Sequence, residues 1–163
     1  MFNLFGGAVS WMSKKQYVVA LSTTEAEYMA TTHASKEAVL LQRLCSSMVL
    51  VQGSIRIDCD NQSAIFLAKN PAYHSKTKHI DVQYHFVRDM IEDKKVLLVK
   101  VDTLKNTADA LTKFVSSEKF SWCKETMGVA GTKLSCGPMW KENNKWRMLG
   151  CVIFFPQLAY RNF

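Results

Sequence analysis

No apolar run in these 163 residues approaches the ~20 that a membrane-spanning helix needs, so no membrane partner is expected. The apolar start "MFNLFGGAVSW" lacks the basic region and the small-residue cleavage site of a secretory signal. Cysteine is not arranged for bridges. Cys45, Cys59, Cys123, Cys136 and Cys151 are odd in number, and no two form a CxxC pair. That excludes a disulfide framework and a cysteine-pair zinc site. It points to a reduced, intracellular protein with buried thiols. Internal repeats and low-complexity stretches are absent, and with 48% hydrophobic residues the chain reads as globular. Acidic residues are in short supply, 14 against 21 Lys and Arg, a formal charge of +7. The excess is uneven: residues 1–131 carry 16 basic against 13 acidic side chains, and residues 132–163 carry 5 against 1. A positive chain suits a partner with phosphates, though a charge of this size also serves solubility alone.

The remaining pattern is a mixture of short strands and helices. Residues 2–5 and 8–13 read as strands around the tight turn Gly6-Gly7. A long helix covers roughly 22–49 and ends before Gly53. "SIRIDCD" (54–60) alternates as a half-buried strand, and a short helix over 61–70 stops before Pro71. After the basic loop "AYHSKTKH" (72–79), Ile80, Tyr84, Val87 and Ile91 recur with helical spacing. "KVLLVKV" (95–101) is a strand, and short helices are expected over 106–114 and 117–128. Beyond Gly131 the periodicity fades until "GCVIFF" (150–155). The order implies an α/β layered domain over 1–131 and a basic, Trp-containing tail of unknown fold over 132–163.

"LSTTEAEYMA" (21–30) holds two glutamates two positions apart. Ser22 with Glu25 is a capping box, in which the carboxylate reaches back to the Ser22 amide. Glu27 has no such role. At about 100° per residue it falls in the stripe Ala30, Ala34, Ala38, Leu41, Leu44, Cys45 and Met48, with Glu25 on the far side. A carboxylate on a buried face needs a partner or a metal, unless it sits at the wet edge of the core. Glu37 shares the stripe, so position alone does not single out Glu27. Asp58 and Asp60 share a strand face. Asp60 stands at the strand's C-terminal end, where open α/β sheets bind ligands, or else caps the following helix. Asp109 lies in a helix first turn, where the dipole favours a carboxylate. A Glu and two Asp could together hold Mg²⁺, a hard ion that wants carboxylates and water, and two such ions serve phosphodiester hydrolysis. Spacing alone does not show that the three meet. Lys76, Lys78, His74, His79 and His85 interleave with Tyr73 and Tyr84, which suits a phosphate backbone and stacked bases or simply a solvated loop.

"GGAVSWMSKKQ", "ALSTTEAEYMA", "CDNQSAI", "AKNPAYHSKTKHIDVQYHFVRD" and "TADALTK" together resemble the ribonuclease H domain of copia-type retrotransposon Pol polyproteins, especially plant ones. The resemblance runs from about residue 4 to about 130. It implies a ribonuclease H-like mixed sheet flanked by helices, and two-Mg²⁺ cleavage of the RNA strand of RNA–DNA hybrids. It places catalytic, metal-binding carboxylates at Glu27, Asp60 and Asp109. Nucleic-acid contacts are implied at Asn61 and Gln62 by resemblance and at Lys76, Lys78 and His79 by the loop's charge. The family's first strand, which carries a further aspartate upstream of the glycine turn, has no counterpart after Met1. A first strand missing from the sheet implies an exposed edge and weak or absent activity, with the tail as a possible patch. The alternative is a non-catalytic module that binds nucleic acid or protein, recruited to a host process.

Overall fold

A computed structural model describes residues 1–4, 6–13, 16–48, 53–70, 80–129 and 149–151. Strands β1 (Phe2–Leu4) and β2 (Gly7–Ser10) form an antiparallel hairpin around Gly6. Helix α1 (Thr23–Ser47) follows, then β3 (Ile55–Cys59) and α2 (Gln62–Lys69). A 3-10 turn (Val82–His85) runs into α3 (Phe86–Glu92), and β4 (Val96–Lys100) lies parallel to β3. Two 3-10 turns, Thr103–Lys105 and Thr107–Leu111, lead to α4 (Ser117–Thr126). The last described strand is β5 (Leu149–Cys151). The result is a mixed α/β architecture, a five-stranded sheet of order β2-β1-β5-β3-β4 with helices packed on it.

The position of β5 changes one expectation. It is antiparallel to β1 and parallel to β3, and so lies between them. Where the sequence implied an open edge beside β1, the segment 132–163 supplies three residues that pair on both sides.

Alternation on β3 sends Ile55, Ile57 and Cys59 into the main core, against Tyr28, Met29, Ala30, Ala38 and Cys45 of α1. Ile80, Tyr84, Val87 and Met90 close the same core. The far end of the anticipated α1 stripe is only partly buried: Cys45 is in the core, but Leu44 and Met48 are exposed. Polar residues inside α1 are matched locally. Thr31 Oγ1 donates to the Glu27 carbonyl at 2.7 Å, Ser35 Oγ to the Thr31 carbonyl at 2.8 Å, and Thr32 Oγ1 to the Tyr84 carbonyl at 2.6 Å. The last of these ties α1 to the turn before α3. Cys45, Cys59 and Cys123 are buried thiols, as the odd, unpaired cysteine pattern implied.

Phe2 joins the main core, and its neighbour Met1 enters a second cluster with Ala108, Cys123 and Met127. This cluster docks α4 beside the hairpin, where Ala8 N–H donates to the Met127 carbonyl at 2.9 Å. Gly128 ends α4 with φ +70°, and a Cβ there would lie 2.4 Å from the Gly6 carbonyl oxygen. Gly128→Ala therefore combines an unfavourable backbone region with a backbone clash. It should lower the unfolding free energy by about 2–4 kcal/mol. Urea denaturation checks this, and an unchanged midpoint would show that α4 does not dock against the glycine turn.

Candidate functional site

Three local decisions bring the acidic residues to one place. At the start of α1, Ser22 Oγ accepts the Glu25 N–H at 3.1 Å, while Glu25 Oε2 accepts the Leu21 N–H at 2.8 Å. The capping role of Glu25 holds, with its carboxylate one residue earlier than a capping box would put it, and Glu25 is buried rather than on an outer face. At the end of β3, the cap of α2 is Asn61, whose Oδ1 accepts the Ala64 N–H at 3.0 Å. Asp60 is thereby relieved of capping. Asn61, expected to touch nucleic acid, spends its side-chain oxygen on the helix. Asp109 belongs to a 3-10 turn rather than the short α-helix anticipated over 106–114. Asn106 caps that turn through the Ala108 N–H at 3.3 Å.

Glu27 and Asp60 come together with Cys59, one possible ligand atom from each lying within 4.8 Å of the others. Burial raises the Glu27 carboxyl from 4.5 to about 7. The nearby charge of Asp60, and less so that of Asp109, adds to the rise, and Lys113 opposes it. Asp109 is therefore within electrostatic reach of the pair. Glu27 Oε2 is buried with no hydrogen-bond partner among the described residues. Glu37, the other stripe glutamate, is different: its Oε1 accepts the Ser10 hydroxyl at 2.8 Å. A buried, unpartnered carboxylate oxygen beside a second carboxylate is a donor set a hard divalent cation would complete. Cys59 does not alter that. Burial pushes its thiol up to about 11, and Sγ donates to the Asn61 carbonyl at 3.7 Å, so it keeps its proton.

Asp58 takes no part. It is buried and its carboxylate is held by Arg56 Nε at 2.6 Å, two residues away on the same strand. The sequence did not bring forward four further groups at the site. Cys59 lies one residue before Asp60 and points into the core. Lys113 Nζ contacts Asp109 Oδ1 at 2.9 Å, and Lys119 Nζ contacts Asp109 Oδ2 at 2.9 Å. The i, i+4 spacing of Asp109 and Lys113 was a legible signal for the first pair. Nothing local pointed to Lys119. Lys100 Nζ contacts the Asp60 carbonyl oxygen. Gln62 opens α2, beside the cap. Lys76, Lys78 and His79 lie outside the described residues.

The chain is 50% identical over 129 residues to the retrovirus-related Pol polyprotein from transposon TNT 1-94 of Nicotiana tabacum. It is 38% identical over 135 residues to that of transposon RE2, and 39% over 127 residues to that of transposon RE1, both of Arabidopsis thaliana. Its homologues are plant transposon Pol polyproteins. The matches cover 79%, 79% and 74% of this chain but only 10%, 9% and 8% of those proteins, so the chain corresponds to a small part of them. No family model and no solved structure matches the chain. No helix among the described residues is long and apolar enough to cross a membrane.

Proposed function

We propose that the chain is a retrotransposon-derived, ribonuclease H-like domain whose ancestral chemistry is two-metal hydrolysis of RNA in RNA–DNA hybrids. The observation that carries the reading is the meeting of Glu27 with Asp60, Asp109 in electrostatic reach, and a buried Glu27 oxygen without a partner. These three carboxylates would hold Mg²⁺. Bound there, the metal would supply activation of water and stabilisation of the leaving oxygen. The chain's own residues do the rest. The Asn61 cap frees Asp60 at the strand end, and the Asn106 cap fixes the turn that presents Asp109. Arg56 keeps Asp58 out of the cluster. The reading implies an intracellular setting, cytoplasmic or nuclear, and a basic loop around Lys76, Lys78 and His79 that meets the phosphate backbone. Activity in this chain is expected to be weak or absent.

One observation favours a second reading. Both oxygens of Asp109 are already held by ammonium groups, an arrangement that suits a retired centre within a non-catalytic, nucleic-acid- or protein-binding module. One assay separates the two. Incubation of folded protein with a labelled RNA–DNA hybrid and Mn²⁺ should give slow cleavage, lost by at least about tenfold in both Glu27→Gln and Asp60→Asn. Salt-sensitive hybrid binding without any cleavage would establish the module instead. Cleavage that survives both substitutions would remove this site from the chemistry.

A further inference from the structure

Asp109 is the one carboxylate of the three with both oxygens ion-paired in the described structure. Its side chain is 4% exposed, and its two partners differ in a way that assigns them different work. Lys119 is 22% exposed and enters from the first turn of α4, where Ser116 Oγ accepts its backbone N–H at 3.2 Å. A cation in a helix first turn opposes the helix dipole, so its own helix gains nothing from it. Its Nζ instead bridges Asp109 Oδ2 and the Thr103 carbonyl at 3.3 Å, fastening both 3-10 turns to α4. Lys113 is 51% exposed and follows the turn by one loop residue. Lys113 Nζ holds Asp109 Oδ1 at 2.9 Å, so it occupies an oxygen that a divalent ion would need, and its half-exposed stem leaves it a route into solvent.

Resting on the metal-binding reading above, we propose that Lys113 is a displaceable internal counter-cation that holds the cluster together without metal and competes with a divalent ion for Asp109. Lys119 is the permanent anchor that positions Asp109. The two roles predict opposite responses. Removing the competitor strengthens metal binding, because the ion no longer displaces an ammonium from the carboxylate. Removing the anchor weakens it, because Asp109 loses its fixed orientation. A neutral, similarly long side chain at each position tests this without opening a large cavity.

The probe is Mn²⁺ alone, titrated into full-length wild type, Lys113→Met and Lys119→Met and followed by the loss of the free-ion electron paramagnetic resonance signal. Circular dichroism confirms that each protein is folded. Lys113→Met should tighten Mn²⁺ binding about five- to tenfold and enlarge the Mn²⁺-induced rise in Tm, while lowering Tm in chelator. Lys119→Met should weaken binding. Lys113→Arg, which restores the charge, should return the affinity towards wild type. Unchanged or weaker binding in folded Lys113→Met, with wild type binding normally, overturns the competitor role and leaves the metal site standing. Failure of every folded variant and of wild type to bind Mn²⁺ overturns both.

Discussion

At pH 8 and without metal, Glu27→Gln should stabilise the fold by about 3 kcal/mol, the worth of a carboxyl raised from 4.5 to about 7. The sign follows from proton counts. Between pH 4.5 and 7 the native state keeps a proton on Glu27 that the unfolded chain has lost. Wild-type stability is therefore full below pH 4.5, falls as pH rises through that window, and is at its lowest above 7. Glutamine does not ionise and escapes the fall. Near pH 4 the two proteins should be alike, because Glu27 is then neutral in both states. Saturating Mn²⁺ reverses the order at pH 8: the ion favours the ionised carboxylate, so wild type gains stability that the variant cannot. Urea unfolding of both proteins at pH 4 and pH 8, with and without MnCl₂, covers all four conditions. A variant no more stable than wild type at pH 8 in chelator would mean that Glu27 is not strained by burial. The gain on mutation is the mark of a residue kept for binding rather than for folding.

How much of this was legible depends on how local each feature is. The Ser22–Glu25 cap and the Tyr84, Val87 spacing need only about one turn of helix, and sequence spacing carries both. Glu27 stood out because the cap explained its neighbour and left it unexplained. Other features turn on competition between near neighbours. Whether Asp60 or Asn61 caps α2, and whether Asp58 faces solvent or Arg56, are choices between adjacent side chains that only the backbone course decides. The α1 stripe was read too wide: Cys45 is buried in the core, while Leu44 beside it and Met48 at the helix end are exposed. The Lys119–Asp109 pair and the place of β5 join distant segments, for which a single sequence holds no periodic signal.

The second large effect concerns β5. Gly150→Pro in the full-length chain should lower the unfolding free energy by about 3 kcal/mol or more. Gly150 pairs with Ile57 of β3 on one side and Phe2 of β1 on the other, so it lies inside the sheet rather than at its edge. Proline there removes an amide donor from the ladder and restricts a backbone that must serve two neighbours. The consequences should be spatially graded. Amides of β1 and β3 that point at β5 should lose protection from hydrogen exchange first. Those shared between β3 and β4, paired along all of Ile55–Cys59, should keep it longer. That gradient distinguishes the loss of one strand from general weakening. Equal protection in variant and wild type would mean that β1 and β3 do not depend on Leu149–Cys151 to be bridged. The site is coupled to the outcome, because Asp60 follows β3 directly and Glu27 sits on α1, the helix packed over β3 and β5. A chain that loses β5 should therefore also lose Mn²⁺ binding, although Gly150 contributes no metal ligand of its own.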